Sequence, residues 1–455
     1  MRARLTERML RPLLPTLAAA LLVPLPQAAH AQSRGVAETR ASPLREEIEE
    51  RAKDQIRSFY AARDFRPLWM DASGRPLRAA EVLLDHLKTA QVDGVDARAV
   101  GFEKLARLVE KARRGGAGDS AKAEVALSSA FANYVRATRG ARHANMIYES
   151  RALAPSVPGE RAVLDAAAQA GSVEDYLTGM RWMHPFYAPL RAALENPSHS
   201  SEERQQILTN LERVRALPAM ASGRYILVDA ASARLWMYED GQPVDSMKVV
   251  VGKPVNPTPT MAATIKFTAL NPYWNVPVDL AAERIAPHVL KQGAGYLKQL
   301  GYVVLSDWSD SATPVDPTTI DWKAVADGRI KIRVRQDPGP HNSMGRMKFM
   351  FPNPQGVYLH DTPDRELLNE AARLFSGGCV RLEDAPRLAN WLYGRPLDPS
   401  GADTEQPVPL ATPVPVYIAY LTAVPDAGQI VYYNDIYGKD RSELAASADG
   451  RVAAR

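Results

Sequence analysis

One cysteine in 455 residues leaves the chain without an internal disulfide and without a CxxC metal or redox pair. Charge of one sign is also missing. Lys and Arg number 56 against 52 Asp and Glu, a net +4, which excludes a polybasic nucleic-acid binder. No run in the body of the chain nears the roughly 18 apolar residues of a membrane-spanning helix. Hydrophobic residues at 46% and charged residues at 24% are ordinary globular usage, so a mainly disordered or collagen-like chain is excluded too. What is plentiful is proline, at 35 residues, which predicts many turns and linkers.

The N-terminus reads as an export signal. Arg2, Arg4, Arg8 and Arg11 precede an apolar stretch from Leu13 to Leu25, and Ala29-His30-Ala31 fits an A-x-A cleavage site. Residues 1–31 are therefore expected to be removed and the mature protein to work in the periplasm. There a lone thiol is either an inert core residue or a nucleophile.

Residues 32–44 are polar and expected to be flexible. A mainly helical domain is predicted over 45–218. Ile48, Ile56 and Phe59 share one helical face, a helix covers Ala121–Arg136, and Ser201–Leu217 forms another that Pro218 ends. At Gly223 the period shortens to that of strands, which recur at Arg224–Val228, Arg234–Tyr238, Ser246–Val251, Thr264–Ala269, Ile330–Val334, Met347–Phe351 and Val357–Leu359. The second domain is placed over 223–440, with a helical insertion at 279–299 and a tail over 441–455. A proline-rich linker is expected from Leu397 to Pro415. Val416–Thr422 and Gln429–Tyr433 are expected to pair as a hairpin.

The chemistry gathers in Tyr358-Leu359-His360-Asp361 and Ser376-Gly377-Gly378-Cys379-Val380-Arg381. Thr362-Pro363 predicts a helix between them, closed by Gly377-Gly378. A strand would then deliver His360 and a glycine turn would present Cys379. An imidazole in reach takes the thiol proton and later returns one to a leaving amine. The N–H groups of the glycine turn, Gly378 in particular, suit an oxyanion hole. Ser376 is expected to orient the imidazole, and the planar fork of Arg381 to hold a carboxylate. Taken singly, each has a plainer reading: His360 as a structural histidine, Arg381 as a surface ion pair, the glycines as a turn.

These residues, together with Arg335–Pro340, Met344-Gly345, Lys348-Phe349 and Phe351-Pro352-Asn353, resemble the catalytic core of L,D-transpeptidases, the YkuD-type domain. Many members have His where this chain has Gly377. Upstream, Phe59-Tyr60, Phe65–Trp69, Asp93-Gly94 and Ala126–Phe131 resemble the scaffold domain of the YcbB-like subfamily. The resemblance implies an α+β protein: a mainly β catalytic domain with a helical capping insertion behind a helical scaffold. It implies Cys379 as nucleophile and His360 as base, with Tyr358, Gly377, Arg381 and Asn342 against the substrate. It further implies peptidoglycan stem peptides as substrates, a 3→3 cross-link as product, carbapenem-type β-lactams as covalent inhibitors, and neither metal nor organic cofactor. The insertion reads equally as a lid that selects acceptor strands or as a packing element.

Rivals remain. An L,D-carboxypeptidase on the same scaffold differs only in letting water resolve the thioester. A wall-binding scaffold protein would keep the fold without thiol chemistry. Papain-like and NlpC/P60 enzymes place Cys before His, the reverse of this chain.

Overall fold

A computed structural model describes residues 42–96, 101–140, 145–219, 223–399 and 404–440. The expected export signal, most of the 32–44 segment and the 441–455 tail lie outside them.

Helices dominate the first half: α1 (Pro43–Arg51), α2 (Asp54–Ala61), α3 (Arg78–Lys88), α4 (Phe102–Arg113), α5 (Ala117–Arg139), α6 (Glu160–Gln169), α7 (Val173–Thr178), α8 (Tyr187–Ala193) and α9 (Ser201–Val214). Leu44 and Ile48 of α1 and Ile56, Phe59 and Tyr60 of α2 are buried, but the chain is extended at Ala52-Lys53, so Ile48 lies on a different helix from Ile56 and Phe59 rather than on one shared face. A capping box between Ser200 and Glu203 starts α9. Buried polar anchors tie this half together. Asp93 accepts from Tyr134 at 2.6 Å, from Tyr187 at 2.9 Å and from Arg191 Nε at 3.0 Å. Glu124 accepts from Tyr60 at 2.6 Å and from the backbone N–H groups of Leu68 and Trp69. The Phe65–Trp69 motif thus marks where a buried carboxylate grips the backbone, and Asp93-Gly94 where another gathers two tyrosines and an arginine.

The second half is built on one large wound sheet, joined by the two-stranded and three-stranded sheets described below. Short β1 (Ile147–Tyr148) leaves the helical half to pair with β5 (Met261–Leu270). The meander β2 (Arg224–Asp229), β3 (Arg234–Glu239) and β4 (Gln242–Gly252) follows the predicted alternation. Further on lie β9 (Met347–Met350), β10 (Leu359–His360), β11 (Leu374–Ser376), β12 (Val380–Leu382), α14 (Ala385–Tyr393), β13 (Gln406–Ala419), β14 (Ala423–Asp426) and β15 (Gln429–Tyr432). The main path runs β1-β5-β13-β2-β3-β4-β12-β10-β9, and a further pairing of β5 with β9 closes it on itself. Alternate side chains such as Val228, Met237, Val249, Phe349, Leu359, Val380 and Ile418 fill the inside. On the outside, Tyr225, Leu227, Tyr238 and Tyr417 join the core of the helical half.

Between β5 and β9 stands a separate small core. It comprises β6 (Trp274–Val276), α10 (Val278–Leu280), a π turn over Ala281–Ile285, α11 (Ala286–Gln292), α12 (Gly295–Gln299), β7 (Tyr302–Leu305), α13 (Trp322–Ala326) and β8 (Arg333–Gln336). The three strands pair in the order β6-β8-β7, and Ile285, Val289, Trp322 and Val334 fill the core. The insertion predicted at 279–299 is thus the helical part of a larger unit.

Three further expectations are corrected. The helix after Thr362-Pro363 is only a 3₁₀ turn over Arg365–Asn369, and the chain then extends into β11. The Arg373 carbonyl accepts from Val251 N–H, and the Arg373 side chain donates to the carbonyls of Val249, Ser232 and Ala233, so pairing with β4 overrides the helical pattern. The proline-rich segment is no linker but the long strand β13. Pro407, Pro409, Pro413 and Pro415 occupy alternate positions, and β2 pairs only with Val416–Ala419, so their missing donors fall on an edge without a partner strand. The terminal hairpin joins β15 to β14 rather than to Val416–Thr422.

Candidate active site

Three short strands carry the site. Lys348 on β9 lies opposite His360 on β10, and His360 lies opposite Arg381 on β12. Phe349, Leu359 and Val380 form the neighbouring row, buried inside the closed sheet. The two-residue period therefore puts Lys348, Tyr358, His360, Cys379 and Arg381 together on the outer face.

Cys379 closes a turn held by Ser376. The Ser376 hydroxyl donates to the Cys379 carbonyl at 2.5 Å and accepts from Gly378 N–H at 3.1 Å. Ser376 thus fastens the turn and does not orient the imidazole. The Gly378 N–H is spent there, so the expected oxyanion donor shifts to the N–H of Cys379 itself, which has no partner among the described residues. Gly378 has φ +114°, a backbone closed to other residues without strain. Behind the turn, Thr258 donates to the Gly378 carbonyl at 2.9 Å and accepts from Gly252 N–H, and Tyr437 donates to the Gly252 carbonyl. Sequence reasoning missed this support, because it comes from a loop far upstream and from Tyr437 far downstream.

His360 is 2% exposed. Its Nδ1 lies 2.5 Å from the Asp361 carbonyl, which can only accept, so this contact places a proton on Nδ1 and leaves the lone pair on Nε2. Asp361 in turn accepts from Arg346 N–H at 2.9 Å and pairs with Arg365 at 2.8 Å. Gly345 sits against it at φ +62°, where an added Cβ would lie 2.6 Å from Asp361 Cβ.

The substrate-side predictions divide. Arg381 pairs through Nη1 with Asp364 at 2.8 Å, so a protein carboxylate already engages the fork meant for substrate, while its buried Nε has no partner among the described residues. Tyr358 flanks Cys379 and carries the Lys348 ammonium 3.8 Å from its ring centroid. Gly377 is exposed and faces Leu280 of the insertion, whose Cδ1 would lie 3.7 Å from a Cβ at that position. Asn342 is buried, donating to the carbonyls of Pro272, Gln336 and Asp337 and accepting from Met344 N–H. It holds a loop and has no group left for substrate. Among the described residues no group of side chains is suited to hold a metal ion.

Residues 223–418 match the model of the L,D-transpeptidase catalytic domain, YkuD, and residues 54–194 that of the Scaffold domain. A Haemophilus influenzae protein provisionally assigned as an L,D-transpeptidase is 30% identical over 404 residues, 86% of this chain and 78% of its own length. The chain belongs to the L,D-transpeptidases. Solved members of the family are more distantly similar. One from Mycobacterium smegmatis is 16% identical with a TM-score of 0.22, covering 44% of this chain and 59% of that one. The Enterococcus faecium catalytic domain is 19% identical with a TM-score of 0.19, covering 44% and 98%. An avibactam carbamoyl enzyme is 15% identical with a TM-score of 0.20, covering 45% and 51%.

In this L,D-transpeptidase the electrostatics favour a neutral base. Burial, then the charge of Arg381 and that of Lys348, bring His360 down to about 3, against the pull of the Asp361 carbonyl. Burial pushes the Cys379 thiol up, while the Tyr358 N–H, Lys348 and Arg381 draw it back. Sγ is 3.8 Å from the Gly356 carbonyl, and the residue is partly exposed, so a substrate carbonyl has access to it.

Proposed function

We propose that Cys379 attacks the carbonyl of the third residue of a tetrapeptide stem and that an acceptor amine resolves the thioester to a 3→3 cross-link. The observation that carries this is the register of two adjoining strands, which sets a partly exposed thiol on the same outer face as a neutral imidazole whose Nδ1–H is held by a backbone carbonyl. In the first half-reaction the sulfur–carbon bond forms, the thiol proton passes to His360 Nε2, and the Cys379 N–H meets the developing oxyanion. The carbon–nitrogen bond then breaks and the imidazolium returns the proton to the departing D-Ala. In the second, the acceptor amine attacks, His360 takes its proton, and the thiol is restored. No cofactor enters this balance. The signal-like N-terminus supports work in the periplasm, and a strained β-lactam of the carbapenem type would acylate the same sulfur.

The test uses purified residues 32–455 with disaccharide-tetrapeptide, read by mass spectrometry beside Cys379→Ala. A dimer one D-Ala short, absent from the variant, is the expected result, and fragmentation reports the linkage. Tripeptide without dimer would mean that water resolves the thioester, and the carboxypeptidase reading would replace this one. Neither product from folded protein would favour a wall-binding scaffold.

A further inference from the structure

Two cations share the outer face with Cys379 and draw its thiol down, and they are not equivalent. Arg381 is matched by Asp364 at 2.8 Å. Lys348 forms no ion pair among the described residues, although it is only partly exposed, and its ammonium rests on the face of Tyr358 at 3.8 Å. An aromatic face attracts a cation but does not neutralise it. A sheltered ammonium without a carboxylate is unfavourable unless an anion is formed beside it.

The strand register says which anion. Lys348 stands opposite His360 on the outer face, and the Tyr358 ring beneath its ammonium belongs to the residue whose N–H points at the Cys379 sulfur. The other charged or titratable groups around the thiol do not serve. His360 is buried and neutral on β10, and Tyr358 is an un-ionised phenol. Asp361 and Asp364, after β10, are held by Arg365 and Arg381. Glu405, ahead of β13, favours the charged form of Lys348 more than the sulfur does, but it is exposed and makes no ion pair with Lys348 among the described residues. Lys253 on the loop behind the turn and Asp279 beside Leu280 are exposed.

We propose that Lys348 is the counter-ion of the Cys379 thiolate, a positioning residue whose ammonium, seated on Tyr358, holds the reactive anion. The inference rests on reading Cys379 as the nucleophile. The thiol gives its proton to His360 Nε2 as the substrate carbonyl is attacked, and Lys348 keeps its own, so no further reactant is required. The negative charge that forms on the sulfur then meets a fixed cation, and the imidazolium keeps the proton that the departing amine needs.

The test is alkylation of the full chain by iodoacetamide from pH 5 to 10, which needs no peptidoglycan. Wild type is compared with Lys348→Met, Lys348→Gln and Lys348→Arg, each checked for folding by circular dichroism. In the Met and Gln variants the midpoint of the pH–rate curve is expected to rise by about one unit, with alkylation at pH 7 slowed about tenfold. Lys348→Arg should restore the wild-type midpoint, which a purely structural lysine would not require. Unchanged midpoints in folded Met and Gln variants would overturn the counter-ion and leave the nucleophile reading standing. Wild-type Cys379 that resists alkylation at every pH would overturn both.

Discussion

Gly345 has no chemistry of its own, yet it governs one residue that does. Its backbone sits at φ +62°, and Asp361 fills the space where a side chain would begin. Gly345→Ala therefore carries two costs, about 1 kcal/mol for the left-handed backbone and a further displacement of Asp361. A loss of about 2 kcal/mol or more in urea denaturation is expected, with a larger loss in the rate of β-lactam acylation, because the Asp361 carbonyl that orients His360 moves with it. Acylation at the wild-type rate would show that the imidazole keeps its orientation without this contact. At this scale the sequence was informative where residue type alone is decisive. A single cysteine in a glycine turn, 19 positions after a histidine that follows a strand pattern, left few alternatives. Ser376, Asn342 and Arg381 were legible as important but not in their roles, because hydrogen bonds to backbone and to Asp364 absorb the groups that their chemistry advertises. Lys348 stood in the matched motif without an assignment. Its meaning lies in its register against His360, which the alternation of Met347–Met350 could have suggested only with the strand order in hand.

Among the elements, those governed by local pattern were legible and those governed by distant pairing were not. The meander after Gly223 and the capped helix α9 follow their own periodicity. The segment from Thr362 to Phe375 has a helical pattern, but β4 captures its end as a strand, and the proline-bearing β13 is a strand because one of its edges needs no donors. The insertion meets the catalytic turn through Leu280 and Gly377. If that contact covers the turn, Leu280→Ala should raise the rate of Cys379 alkylation at fixed pH several-fold with little change in melting temperature. Gly377→His should do the same by pushing Leu280 away. Rates equal to wild type in both variants would make the insertion a packing element at this point.

Across the whole molecule, the helical half and the outer face of the closed sheet share one core, and one buried carboxylate of the helical half, Glu124, makes its stability depend on pH. Burial raises Glu124 to about 7, against the hydrogen bonds that favour its charged form. The folded protein then keeps a proton that the unfolded chain loses near the ordinary carboxylate value. The resulting stabilisation is full below about pH 4.5 and fades as pH rises to about 7, a change on the order of 3 kcal/mol. Denaturation of wild type at pH 5 and pH 8 should show that fall, and Glu124→Gln should flatten it; an identical slope in the variant would mean that another group is responsible. Closure of the sheet has a consequence of a different kind. Leu270 and Met347 are direct partners, and Asn271 N–H reaches the Arg346 carbonyl, so everything between them springs from the tip of one antiparallel pair. The inserted unit is a cassette. Its two ends meet side by side, so lineages can lengthen, shorten or exchange it by insertion at a single point in the gene while the strands beneath it keep their places.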